Sequence, residues 1–416
     1  MELCSKDRET LRTLAGRYMA YAVSGKNNEK RELWRALNQG HMQKPMIAVD
    51  QMPWNELDVD GSLICTVEDP YFRNVEWTLR SEIYKWEHLP ADMVLNPYVL
   101  LPRPIGNTGY GLGFIKETLA TDPTSGVLAQ HFVNQFEEPE DVEKIKTPVV
   151  TIDREAEAEM IAAARELFSG IAEVKMQGVI LHLGIWDSIT QWMGVENCYV
   201  ELMDRPEMMH AIMERLTAAT LDEIEQINRL GVYDVNTNMC HCSYTFSDAL
   251  PGPGCDRDNP TTKDGWAFGL AQLFTSVSPE ITAEFEVPYM QRLFPHFGSI
   301  YYGCCDRLDD RLDIICRMPN IRKISCSPWS DREHFAANLP KEYIMSNKPS
   351  PAFLAQSSFD EEAVRRDLRR TIAAAKAHGL RLEMILKDIS TVKYKPERLW
   401  RWSQIAEEET LSAALS

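Results

Sequence analysis

Two short stretches concentrate residues able to do chemistry. "MCHCSYT" (239–245) sets Cys240, His241 and Cys242 in succession, and "YYGCCD" (301–306) sets Cys304 beside Cys305 with an acid next. Thiolate sulfur and imidazole nitrogen are donors that zinc accepts, and a catalytic zinc keeps one position open for substrate. In an extended chain Cys240 and Cys242 face one way and His241 the other, so all three meet one ion only where the backbone turns. Cys304 and Cys305 alternate in the same way, and a bond between adjacent cysteines is strained. Gly303 allows the backbone to leave strand geometry there. Cys304 is therefore expected to be the ligand or nucleophile and Cys305 to pack, with two buried thiols as the competing reading. "LKDIST" (386–391) adds Lys387 and Asp388, which suit proton transfer or the grip of a substrate carboxylate, or else a plain ion pair. Glu383, earlier in the same run, needs a partner or a metal if it points inward.

These residues lie at the ends of apolar runs. Eight runs read as strands: 44–51, 92–99, 175–183, 232–238, 299–305, 321–327, 341–347 and 381–388. Helical patterns separate most of them. One spans 358–379, with Ser358 and Glu361 placed as a capping box and Gly379 as the stop. Another runs from Asp153 to Phe168, and a third, opened by "SPE", covers 279–295. Two helices precede residue 44, ending at Gly25 and Gly40. No dinucleotide or nucleoside-phosphate loop follows an early strand, which argues against a doubly wound sheet. The expectation is an α/β chain folded as one (β/α)8 TIM barrel (44–405), with an N-terminal helical extension (1–43) and an insertion (100–150) after strand two. The glycine-rich "GNTGYGLGF" (106–114) reads as a flexible loop over the barrel mouth.

Barrel enzymes keep their chemistry at the C-terminal ends of the strands. That rule makes Lys387, Asp388, His182 and Tyr302 the candidate catalytic residues. Gln51, Trp54, Asn96, Asn236, Trp186 and Trp329 become candidate substrate contacts, the tryptophans as an aromatic wall. Cys304, His241, Cys240 and Glu383 become candidate metal ligands.

Composition narrows the partners. Lys and Arg number 44 against 62 Asp and Glu, a net charge of −18. That excludes a surface built to follow a phosphate backbone. No apolar run reaches the roughly 20 residues of a membrane span, and the N-terminus lacks the apolar core of a secretory signal. Ten scattered cysteines with no CxxC fit free thiols in a reduced cytoplasm.

The order of elements over 45–405 resembles the uroporphyrinogen decarboxylase superfamily, which includes corrinoid-dependent methyltransferases such as the methylcobamide:coenzyme M enzymes. The resemblance rests on "DMVLNP", "MDRPEMMHAIMERLTAATLDEIEQI" (203–227), "SVSPEITAEFEVPYMQRLF" (276–294) and "SIYYGCCDRLDDRLDII" (299–315). It implies a methyl transfer between a small substrate or thiol and a corrinoid. The chain has no DxHxxG corrinoid signature, so the corrinoid is expected on a partner protein; the family also implies zinc and a homodimer. The methyltransferase branch binds zinc through a "HICG"-like segment. Here Tyr302 stands at the histidine of that motif and Cys304 at the cysteine, while the third ligand falls near Lys387 and Asp388. The decarboxylase branch grips porphyrinogen carboxylates with arginines after strand one. "DQMPWNEL" has none, which turns the alternative toward decarboxylation of a smaller acid, or toward a non-catalytic ligand-binding member.

Overall fold

A computed structural model describes residues 3–119 and 129–414. Its centre is a parallel sheet of seven strands, flanked by helices. In spatial order these are Met46–Val49, Arg381–Leu386, Ile344–Asn347, Ile321–Cys326, Ser299–Tyr302, Trp266–Gly269 and His182–Leu183. Every pairing is parallel. All C-terminal strand ends therefore open on one edge, and the first and last chain segments of the sheet lie side by side. The strands read as near-continuous apolar runs because helices cover them; Met46–Val49 is buried throughout.

Four of the eight expected strands persist with trimmed ends: 46–49, 321–326, 344–347 and 381–386. The strand expected at 299–305 stops at Tyr302, and that expected at 175–183 splits into Val174–Gln177 and His182–Leu183. Two others differ for a visible reason: side chains take their backbone groups. In 92–98 the amide of Val94 bonds the Tyr244 hydroxyl, and Asn27 takes both the N–H and the C=O of Leu95. Strand pairing starts only at Val99–Pro102, parallel to Val174–Gln177. In 232–238 the Asp234 carboxylate accepts from Gly178, Asn236 and Thr237, closing a turn that leaves one parallel bridge, Val179 with Tyr233. Trp266–Gly269, which is not among the eight expected strands, fills the place in the sheet beside Ser299–Tyr302.

Helix ends also shift. Gly25 opens the helix Gly25–Gln39 instead of closing the one before it, because Ser24 caps it by accepting from Asn27. The cap of Glu361–Ala377 is Asp360, accepting from Ala363, and not Ser358. The 203–227 pattern breaks at Arg205 ahead of Pro206, giving Val195–Asp204 and Pro206–Leu230. The 279–295 helix breaks at Glu286, two residues before Pro288, which lacks the N–H needed to continue.

Within 100–150, Ile105–Asn107 pairs antiparallel with Val150–Ile152, and Lys116–Leu119 with Ala129–Phe132. Residues 120–128 of that insertion lie outside the described residues. The glycine-rich stretch is anchored to a helix: the Tyr110 hydroxyl meets Thr220 at 2.9 Å and donates to Glu223. The main apolar core surrounds the sheet. A second, around Leu11, Phe72, Leu79, Leu101 and Phe168, fixes the first helix, Ser5–Ala22, against Pro70–His88. Among the described residues no helix is long and apolar enough to cross a membrane.

Candidate active site

The site starts where the 299–302 strand stops. Gly303 takes φ +86°, and a Cβ there would stand 2.6 Å from the Leu308 side chain, so only glycine serves. The turn abolishes the alternation expected of Cys304 and Cys305. Their sulfurs converge to 3.5 Å. Buried Asp306 holds the turn by accepting the Cys304 N–H at 2.6 Å, and Ser325 donates to the Cys304 carbonyl.

Two further elements close on this turn. After Arg381–Leu386, Lys387 extends its Nζ to 2.7 Å from Cys304 Sγ and 2.9 Å from His241 Nε2. Asp388, exposed, accepts from Cys305 Sγ at 2.9 Å. His241 comes from the tip of a tight hairpin, Met239–Cys240 with Ser243–Tyr244, just past the segment 232–238 expected as the fourth strand. Its ring lies flat on Phe268, 4.0 Å between centroids at 8°, with Nε2 3.6 Å from Cys304 Sγ. Gln51, His241 and Asp388 all adopt positive φ (48°, 53° and 55°) at this edge of the sheet. Left-handed backbone at non-glycine residues costs energy and gathers where a site demands a fixed side-chain direction.

Charge sorts the two thiols. Cys304 is pushed down first by the hydrogen bond from Cys305, then, against burial, by His241 and the Lys387 ammonium. Cys305 is pushed up by that same bond, by burial and by Asp388. The two shifts are opposite in sign, so of the two sulfurs the surroundings favour the thiolate at Cys304 and the thiol at Cys305. Burial alone would lower the Lys387 ammonium, but the Cys242 and Cys304 sulfurs outweigh it and raise it. Behind the thiolate, burial lifts Asp187 to about 7, with Asp306 and Cys304 adding to it. Burial likewise lifts Asp306 to about 6, and its Oδ2 has no hydrogen-bond partner.

The structure brings together Cys304, His241, Lys387 and Asp388. His182 is on the rim, its ring 4.9 Å from Phe268, its pKa lowered by partial burial and by the charges of His241 and Lys387. Tyr302 points the other way: it is buried against Phe294 and donates to Glu286, toward the helix layer. Tyr301, unremarked in the sequence, faces the site, because the side chains alternate. Its ring is 6.2 Å from His241 and 5.5 Å from Phe268. Cys240 and Glu383 are not part of the cluster. Cys240 is fully buried at the base of the hairpin, and Glu383 is paired with Lys323 at 2.7 Å, both inaccessible. Among the described residues, the one trio with ligand atoms all within 4.8 Å of one another is Cys304, Cys305 and Asp388.

The expected substrate contacts scatter. Gln51 is exposed at the same edge, its carbonyl accepting from Ile389. Trp54 packs on Trp77 and Tyr84. Asn96 and Asn236 are spent on loop geometry, donating to Thr237 O and Met176 O. Trp186 is in the core, and Trp329 is 75% exposed. Asp187, Asp306 and Phe268 were missed as site residues. A chain-order list of strand ends includes the two acids, but only folding shows that they face Cys304.

No family model matches the chain, and no curated protein matches it. Among solved structures, a methyltransferase from Methanosarcina mazei is similar over 91% of this chain and 97% of its own, with 12% identity and a TM-score of 0.47.

Proposed function

We propose that the chain is a methyltransferase of the uroporphyrinogen decarboxylase-like kind, moving a methyl group between a small substrate or thiol and a corrinoid on a partner protein. The observation that carries this is the Cys304 sulfur, held 2.7 Å from Lys387 Nζ at the C-terminal edge of a parallel sheet, a contact that favours its thiolate. A closed (β/α)8 barrel fits the same reading. It is supported by the bond from Asp92 N–H to Ile47 O, the 99–102 and 174–177 pair, the Val179–Tyr233 bridge and the bond from Phe268 N–H to Leu181 O, which continue the sheet from its first strand toward its last.

The donor set fits zinc, in a revised form. Cys304, Cys305 and Asp388 supply two sulfurs and one oxygen from two neighbouring loops, and His241 is next in line. Two thiolates with a carboxylate leave a fourth position open. When bound there, zinc supplies a Lewis acid that keeps a substrate thiol deprotonated at neutral pH. The protein's own groups do the rest. Lys387 offsets the negative charge of Cys304. Phe268 fixes the His241 ring, whose Nε2 is aimed at the Cys304–Lys387 contact. Asp187, titrating near neutrality, is suited to give or take a proton.

The same Asp187 favours a second reading, loss of CO2 from a small carboxylic acid. Lys387 would then grip the carboxylate and Asp187 would protonate the carbanion. One experiment separates them. The protein is incubated with methylcobalamin and a panel of small thiols, and demethylation is followed by absorbance, with zinc measured on the same samples. Methyl transfer predicts thiol-dependent demethylation, with stoichiometric zinc that is lost in Cys304→Ala and Asp388→Ala. Demethylation that is absent with every thiol, or unchanged in Cys304→Ala, sinks it.

A further inference from the structure

A cavity of about 450 Å³ opens between the helix Arg154–Leu167, the strand Val174–Gln177 and the loop at 257–260. Its wall contains Arg103, Arg154, Arg165, Lys175 and Arg257, against the carboxylates of Glu157, Glu173 and Asp258. This is a local excess of cations in a chain whose acids outnumber its bases by 62 to 44. None of these residues belongs to the Cys304 cluster.

The pairing within the wall leaves charge unspent. Glu157 is shared: Arg103 donates to one oxygen and Arg154 to the other, so two guanidiniums divide one carboxylate. Arg103 is nearly buried, its side chain 10% exposed, and it is held in place by the Gly231 carbonyl. Lys175 sits over the Tyr98 ring at 4.3 Å, and its contact with Glu173 is long, at 3.8 Å. Arg165, on the helix, and Arg257, on the loop, both line the cavity and make no hydrogen bond or ion pair with any described residue. Two free guanidiniums thus face a cavity whose floor already carries a half-neutralised arginine pair. Guanidinium forks match tetrahedral oxyanions with two parallel N–H···O bonds.

We infer that this cavity binds a phosphate-bearing small anion, with Arg165 and Arg257 as the arms that close on it and the Arg103–Glu157–Arg154 group as the floor. The inference stands apart from the proposed methyl transfer: it rests on a different cavity and different residues.

The test is titration calorimetry of the full chain at low salt with inorganic pyrophosphate, with ADP as the arm for an organic phosphate and citrate as a carboxylate comparator. Saturable one-to-one binding is expected with pyrophosphate or ADP, weakening as salt rises. The tighter of the two says whether the phosphate is free or esterified. In the Arg165→Ala/Arg257→Ala double variant affinity should fall roughly tenfold or more, since each charge-assisted bond is worth more than a neutral one. Arg165→Lys/Arg257→Lys should recover part of it. Both sites are exposed, and unchanged circular dichroism and melting temperature establish that the variants fold. No saturable heat with either phosphate overturns the inference. So does equal affinity in the double alanine variant, or citrate binding as tightly as pyrophosphate.

Discussion

Two lysines of this protein face anions inside the same parallel sheet, and they do opposite things. Lys323 meets Glu383 at 2.7 Å with both side chains fully buried. Ser243 and Ser346 donate to the same carboxylate, and Lys323 also reaches Ser243 Oγ and Tyr244 O. Lys348 extends the network through Ser346 and Tyr301. Every partner is supplied by the protein. Lys387, a strand end away, meets a thiol sulfur and an imidazole nitrogen instead, next to a solvent-exposed Asp388 and an acid with an unpartnered oxygen. The first arrangement is complete and can only be structural. The second keeps acceptor capacity in reserve, which is what a reacting site requires.

The comparison predicts different failures. Removing one partner of the closed network should give the largest effect. Glu383→Ala leaves the Lys323 ammonium buried and unpaired and should cost about 3–5 kcal/mol of stability, measured by urea unfolding. A loss below 1 kcal/mol would erase the distinction. At the open site, Lys387→Met should cost little stability but lower turnover at least ~100-fold, as removal of a charge-stabilising group does. It should also raise the pH at which Cys304 is half-alkylated by iodoacetamide, read by mass spectrometry of the Cys304 peptide. Because the folded Cys304 pKa is depressed, its contribution to stability is complete above the ordinary thiol range and is lost as pH falls through the folded value. In Lys387→Met the folded value lies higher, so the loss should end at a higher pH and be smaller in total.

Asp306 sharpens the contrast, with the opposite sign. Its folded pKa is raised to about 6. A raised carboxyl favours the protonated form, so the associated stability is full below the ordinary aspartate pKa and is lost as pH rises through about 6. Asp306→Asn keeps an acceptor for the Cys304 N–H and removes the buried charge. It should therefore stabilise the protein at pH 8, by up to about 3 kcal/mol, and hardly at all at pH 4. A melting-temperature gain independent of pH would remove the buried-charge explanation. The smallest effect is expected at Trp329. With 75% of its surface exposed, Trp329→Ala should change stability by less than ~0.5 kcal/mol, and a large loss of turnover there would move the site boundary outward.

The sequence by itself determined the α/β class, four of the strands nearly to their ends, and the place of Cys304, Lys387 and Asp388 after the ends of apolar runs. Those readings depend on local apolar runs and on the rule that parallel strands open on one edge. It could not determine where a strand yields to side-chain hydrogen bonds. Asn27 satisfying Leu95 and Asp234 satisfying its neighbours depend on contacts that form only on folding. Nor could it say which face of a strand looks inward. A register is fixed by packing, and a single-residue choice exchanges Tyr301 for Tyr302. Tertiary structure alone decided that Cys304 and Cys305 converge, because Gly303 ends the strand before them. It also gave Glu383 a lysine instead of a metal, because Lys323 reaches it across the sheet interior.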